Sequence, residues 1–174
     1  ADIAMFEVGP AFLGDEPDQQ RTAVAAIRHG AMAPREWHGS RRSVDVFDAK
    51  ADAEAALAVL GVRRGSLQIE SGGPDYFHPG RCGRLLQGRS LLAQFGELHP
   101  QVASHFGLRN ALVGFELFLE VLPLAKSRGP ARSYLKMSSF QPVSRDFAFI
   151  LDDDVPASQL LRAVQSAAGH LVTD

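Results

Sequence analysis

The sequence holds a single cysteine, Cys82, in 174 residues. One thiol builds no internal disulfide framework, and its isolation suits a reducing compartment. A buried, inert thiol is the expected role. Charge of one sign is also missing. Lys and Arg number 18 against 20 Asp and Glu, a net charge of −2. No global basic field therefore recruits nucleic acid, and only local basic patches are left for that role. No apolar run nears the roughly 20 residues of a membrane span. The opening Ala1 to Val8 lacks the basic region of a signal peptide. It enters directly on strand-like residues and the chain stops as abruptly, so the sequence reads as a piece of a longer one.

Several chemical signatures are absent as well. The histidines His29, His38, His78, His99, His105 and His170 show no i,i+4 pair of the helical zinc type. A Cys82–His78 dyad across the Pro79-Gly80 turn lacks a third, orienting group. Asp152-Asp153-Asp154 reads as a solvated strand end rather than a magnesium site, because adjacent carboxylates on a strand alternate sides. Gly72-Gly73-Pro74 has neither the glycine spacing nor the Lys-Ser/Thr ending of a phosphate-cradling loop. No metal ligand and no catalytic residue is assigned.

What is present is an ordinary globular mixture, 45% hydrophobic and 22% charged. Its organising stretch is Phe77 to Pro100. Apolar arms at Leu85-Leu86 and Leu91 to Phe95 flank a Gln87-Gly88-Arg89-Ser90 turn, the pattern of a hairpin. His78-Pro79 and His99-Pro100 punctuate its two ends, since the residue before proline is driven to extended geometry.

Before the hairpin, Ile3 to Val8 reads as a strand broken by Gly9-Pro10, with Ala11 to Leu13 continuing after a kink. Asp15 to Asp18 is a polar turn. Arg21 to His29 favours a returning strand over a helix. Pro34 to His38 suits one helical turn. Ser43 or Asp45 caps a helix running to Leu60, with Val46, Ala49, Ala53, Ala56, Leu57 and Leu60 as its apolar stripe. Gly61 stands where a left-handed cap belongs. Leu67 to Glu70 is a short strand. After the hairpin, Pro100 opens a short helix ended by Gly107. Ala111 to Leu122 is a strand, or two short ones, with Phe115 and Leu117 on one face and Glu116 on the other. Phe147 to Leu151 reads as a strand, Pro156 to about Ala168 as a helix, and Leu171 to Thr173 as the start of another strand.

The basic clusters Arg41-Arg42 and Arg63-Arg64 flank the long helix, the second where cations suit the dipole. Arg81, Arg84 and Arg89 lie in the hairpin. Lys126, Arg128, Arg132 and Lys136 fall in a connector bearing glycine and proline, and together with Arg145 they are the candidates for nucleic-acid phosphates.

An ordered set of segments resembles the β subunit of bacterial phenylalanyl-tRNA synthetase. Its carriers are Met5-Phe6-Glu7-Val8-Gly9-Pro10-Ala11-Phe12, Trp37, Val44-Asp45-Val46-Phe47-Asp48-Ala49-Lys50, His78-Pro79-Gly80-Arg81, Phe95-Gly96-Glu97-Leu98-His99-Pro100, and Ser139 to Asp146. Their order and spacing match along essentially the whole chain. The resemblance implies an α+β fold, an antiparallel sheet with flanking helices of class II aminoacyl-tRNA synthetase type, followed by a truncated ferredoxin-like domain. Residues 1–124 would be the second half of a non-catalytic synthetase-like core, 125–132 a linker, and 133–174 the start of an anticodon-binding domain.

The resemblance also implies function. A class II site needs arginines on ATP phosphates. Met5-Phe6-Glu7-Val8-Gly9 and Gly114 to Glu120 carry none, and large apolar residues stand where glycines would admit a nucleotide. The expected role is a scaffold that packs with a catalytic α subunit in an (αβ)₂ assembly and helps position tRNA(Phe). ATP and Mg²⁺ would serve the whole cytoplasmic synthetase and would not be bound by this segment. His78, Pro79, Gly80, Arg81, His99 and Pro100 are expected to be turn-forming family motifs. The alternative from another class is a stand-alone RNA-binding or regulatory module without ligase activity.

Overall fold

A chain in which short alternating apolar segments are separated by Gly and Pro has few ways to bury them except as a sheet with one covered face. The computed structural model describes residues 2–12, 14–33, 37, 41–122, 134, 137 and 139–172. Contacts divide the chain into two units, Ala1–Ser127 and Arg128–Asp174.

In the first unit the elements are β1 (Ile3–Phe12), β2 (Gln20–His29), α1 (Val46–Val59), β3 (Gln68–Ser71), β4 (Phe77–Gln87), β5 (Ser90–Leu98), α2 (Pro100–His105) and β6 (Leu112–Phe118). Among the described residues, six strands form one sheet in the order β1-β2-β6-β5-β4-β3. Every pairing is antiparallel. The class is therefore α+β.

The expected break at Gly9-Pro10 does not occur. β1 pairs with β2 without interruption from Ile3↔His29 to Phe12↔Gln20. β1 is an edge strand, where a proline is tolerated because one side of the strand needs no donors. The expected strand through Leu122 ends early at Phe118, and Leu119–Val121 forms a 3₁₀ turn. The one helical turn expected at Pro34 to His38 lies outside the described residues, Trp37 excepted.

The β4–β5 hairpin closes with Gln87 opposite Ser90, leaving Gly88 and Arg89 as the two turn residues. Gly88 has φ 62°, and among the described residues no non-glycine residue has positive φ. Positive φ at the first turn residue alone is the type II′ pattern, whose twist suits a two-residue hairpin. Further along, Leu85 pairs with Ala93 but Leu86 with Leu91. Leu92 is thus the extra residue of a bulge. It is fully buried in the core despite the local loss of register.

Helix α1 covers one face of the sheet, on β5 and β6. Its start is fixed by a reciprocal capping box. Asp45 Oδ1 accepts from Phe47 N at 2.8 Å, and Asp48 Oδ2 accepts from Asp45 N at 2.9 Å. Leu60 is its C-cap, and Gly61 follows at φ 90°. Ala49, Ala53 and Leu57 pack on Phe95, Val113, Phe115 and Leu117. Each fully buried Leu contributes roughly 1.5–3 kcal/mol of transfer free energy. The expected stripe is corrected at two places. Leu60 is exposed, while Asp48 and Glu54 are buried with the alanines. Both acids are paired, which permits their burial. Arg42 holds Asp48 at 2.6 and 2.7 Å, and Arg64 holds Glu54 at 2.6 and 2.8 Å. On the same face Arg28 of β2 forms a bidentate pair with Asp52 of α1.

In the second unit the one described helix is α3 (Ala157–Ala168), preceded by Pro156 as its N-cap residue. The expected strand Phe147 to Leu151 is not one. These residues have no ladder partner. A strand is defined by its neighbour, and the described residues offer none here. The Phe147 and Phe149 rings stack with centroids 6.4 Å apart. Gly169–Leu171 is a 3₁₀ turn where the start of a further strand was expected.

Candidate functional site

Among the described residues of the first unit, α1 is the helix packed on the sheet, and it takes one face. The register sets out what the other face presents. Glu70 pairs with Arg84, Arg84 with Gln94, Gln94 with Glu116, Glu116 with Ala25, and Ala25 with Glu7. Paired residues point to the same side, so one row crosses all six strands. Phe115 and Leu117, beside Glu116 on β6, point the opposite way into the core.

Over the middle of this row lies a concavity of about 510 Å³. Small residues of β1 and β2, among them Gly9, Ala23 and Ala25, form its floor. Pro74 and Phe118 contribute apolar surface, and Glu7, Tyr76, Gln94 and Glu116 contribute polar groups. Tyr76 belongs to the turn before β4, where Phe77 N donates to Pro74 O at 3.0 Å. Its hydroxyl donates to Glu116 Oε2 at 2.5 Å. Gln94 Nε2 donates both to the same oxygen, at 2.6 Å, and to the Tyr76 hydroxyl, at 2.8 Å. Burial, followed by the Glu116 carboxylate, pushes the Tyr76 phenol well above the ordinary tyrosine value, with Gln94 acting in the opposite sense. The phenol thus remains a donor.

The two His-Pro steps meet at one end of the hairpin. Phe77 pairs with Leu98, and His99 N donates to Tyr76 O at 2.8 Å. Each imidazole closes a local turn over its proline. His78 Nδ1 accepts from Gly80 N at 3.1 Å, and His99 Nδ1 accepts from Gln101 N at 3.3 Å, where His99 also caps α2. Arg81 NH1 reaches both oxygens of Glu97 at 2.8 Å. These residues are engaged with one another and with the backbone.

Cys82 is half-buried rather than buried. It pairs with Gly96 and lies on the face opposite α1. Its Sγ faces Pro79 O at 3.9 Å. Among the described residues no hydrogen bond joins it to His78, whose Nδ1 accepts from Gly80 N. A side chain at Gly96 would come within 2.6 Å of the Phe77 ring and 2.8 Å of Cys82 Cβ, so glycine is what lets that ring lie over the strand. Among the described residues no group of three or more His, Cys, Asp or Glu is placed to hold a metal. No described helix is long and apolar enough to cross a membrane.

Of the nucleic-acid candidates, Lys126, Arg128, Arg132 and Lys136 lie outside the described residues. Arg145 is exposed and donates to its neighbour Ser144 O at 3.0 Å. The Tyr76–Gln94–Glu116 cluster was not singled out by the sequence. The alternation of Glu116 with Phe115 and Leu117 carried a signal for its face. Nothing in the sequence marked Tyr76, which comes from a turn.

Residues 1–119 match the family described as phenylalanyl tRNA synthetase beta chain CLM domain. Over 174 residues the chain is 44% identical to a Rhodospirillum rubrum protein named phenylalanine–tRNA ligase beta subunit, covering 99% of the chain and 22% of the relative. A protein of the same name from Paramagnetospirillum magneticum gives the same identity and coverage, 44%, 99% and 22%. The chain thus spans about a fifth of the length of these relatives. Among solved structures it is similar to a pyrrolysyl tRNA synthetase of Desulfitobacterium hafniense, with a TM-score of 0.48 and 17% identity over 70% of this chain and 41% of that one.

Proposed function

The chain belongs to the family of the phenylalanyl-tRNA synthetase beta chain CLM domain, and on that premise we propose that it is a non-catalytic scaffold segment of a phenylalanine–tRNA ligase. In this reading its sheet is the second half of a class II synthetase-like core. It packs with a catalytic α subunit in a cytoplasmic (αβ)₂ enzyme and helps position tRNA(Phe). ATP and Mg²⁺ act at the α subunit. Residues 133–174 are the beginning of a ferredoxin-like anticodon-binding domain, with α3 as its first helix and Phe147 to Leu151 as a strand that ladders only when partner strands are present. Lys126, Arg128, Arg132, Lys136 and Arg145 contact RNA phosphates.

The observation that carries this reading is the lining of the open face. Where a triphosphate would require cations, the concavity presents Glu7 and Glu116. Carboxylates there oppose the charge that develops in phosphoryl chemistry and do not stabilise it. The test is phenylalanine-dependent pyrophosphate exchange by the isolated chain, and by the full β subunit with and without α. Exchange is expected only when α is present, and α is expected to co-purify with β. Exchange by this chain alone would overturn the scaffold reading.

A further inference from the structure

Among the described side chains that line the open-face concavity, the spare hydrogen-bonding capacity is of one kind. Within the Tyr76–Gln94–Glu116 cluster every donor is used. The hydroxyl hydrogen of Tyr76 and both hydrogens of the Gln94 amide are directed at cluster atoms. The amide orientation follows from the network, since an oxygen in place of Nε2 would face the Glu116 carboxylate. What is left over is acceptor capacity: Glu116 Oε1, Gln94 Oε1 and the Glu7 carboxylate, which has no hydrogen bond or ion pair among the described residues. Among the described residues the lining includes no Lys, Arg or His. Beside these acceptors the floor is made of Gly and Ala, a flat apolar surface framed by Pro74 and Phe118. The volume of about 510 Å³ falls in the range of small-molecule sites, roughly 300–1,000 Å³.

We propose that this concavity is a binding site for a small organic cation, an aryl- or alkylammonium, whose N–H groups meet Glu116 and Glu7 and whose apolar body lies on the alanine floor. The chemistry selects against alternatives. A phosphate or carboxylate ligand would meet only acceptors. A neutral alcohol would supply one hydrogen where an ammonium supplies three. The Tyr76 and Gln94 donors fix Glu116 Oε2 and thereby present its other oxygen in a preset direction, so little ordering is required on binding. This site is independent of the scaffold role: cation binding and assembly with an α subunit can each fail without the other.

The test uses the whole chain and three probes of similar shape: benzylammonium, benzyl alcohol and benzoate. Binding is followed by amide NMR shifts, with the Gln94 side-chain amide and Ala25 as reporters. Benzylammonium is expected to saturate both reporters. Benzyl alcohol is expected to bind about tenfold more weakly or worse, and benzoate not to bind, as loss of a charge-assisted contact predicts. Glu116→Gln keeps the shape and is expected to weaken benzylammonium by about tenfold, and Glu7→Gln by a smaller factor. Should Glu116→Gln disturb the sheet, Ala25→Met decides, because it fills the floor while leaving the cluster's hydrogen bonds in place; binding should then be lost. Equal binding of the ammonium and the alcohol, absence of saturation, or indifference to Ala25→Met would each overturn the proposal.

Discussion

The two units of the chain treat their apolar residues differently. In the first, α1 turns Ala49, Ala53 and Leu57 onto the sheet, and Leu85, Leu92, Val113 and Leu117 are fully buried. In the second, α3 carries Leu160, Leu161 and Val164 at helical spacing, yet none of its residues is buried. No residue from 139 to 169, nor Leu171 or Val172, is buried. Both helices have an apolar face, and among the described residues only that of α1 is buried. Amphipathic pattern therefore specifies which face will be buried, while burial itself depends on what the rest of the fold supplies.

That contrast can be challenged by substitution. The largest effect is expected from Leu57→Ala, which opens a cavity between α1 and the sheet. Chemical denaturation should show a loss of about 2–5 kcal/mol for the first unit. A loss below about 1 kcal/mol would mean the α1–sheet contact is no tighter than α3's surroundings.

Next comes Arg42→Ala, which leaves the buried Asp48 carboxylate without its guanidinium. Since Arg42 is itself half exposed, solvent moderates the cost, and a loss smaller than that of Leu57→Ala is expected in chemical denaturation. The same pair predicts a pH dependence. Arg42 chiefly, and the Asp45 backbone N–H, hold Asp48 below its ordinary value of 3.8 against the opposing effect of burial. A lowered carboxylate stabilises the fold above pH 3.8, and that stability is lost as pH falls through the lower folded value. The acid limb of a thermal-unfolding profile should therefore be steeper in the parent than in Arg42→Ala. Equal slopes would remove this ion pair from the account.

Asp45→Ala tests the end of α1 and should cost about 1 kcal/mol by thermal melting. The smallest effect is expected from Leu161→Ala in α3, within about 0.5 kcal/mol, with α3 amides exchanging much faster than those of α1. Protection of α3 equal to that of α1 would show that its apolar face is covered after all.

How much of this was legible in the sequence follows the range of the forces involved. The start and stop of α1 were readable because Asp45, Asp48 and Gly61 act within one turn. The hairpin was readable because Gly88 sits between two apolar runs. The order β1-β2-β6-β5-β4-β3 was not, because β2 and β6 come together across more than eighty residues of chain. Asp48 and Glu54 were missed as buried groups because their partners Arg42 and Arg64 stand outside the helix. Phe147 to Leu151 had the composition of a strand, but strand formation is a property of a pair. At the candidate site, alternation placed Glu116 on the right face, whereas Tyr76 reaches it from a turn that carries no periodic signal.

Pro10 gives β1 a further property. This strand is the outer margin of the sheet and exposes Met5, Phe6, Val8 and Phe12. A flat apolar margin of this kind is a template onto which a stray strand from another molecule can add and begin a fibril. At Pro10 any incoming strand meets a ring and no amide hydrogen, so the template is interrupted toward its C-terminal end. The residue that fails to break the strand within its own sheet thus acts as a gatekeeper against self-association.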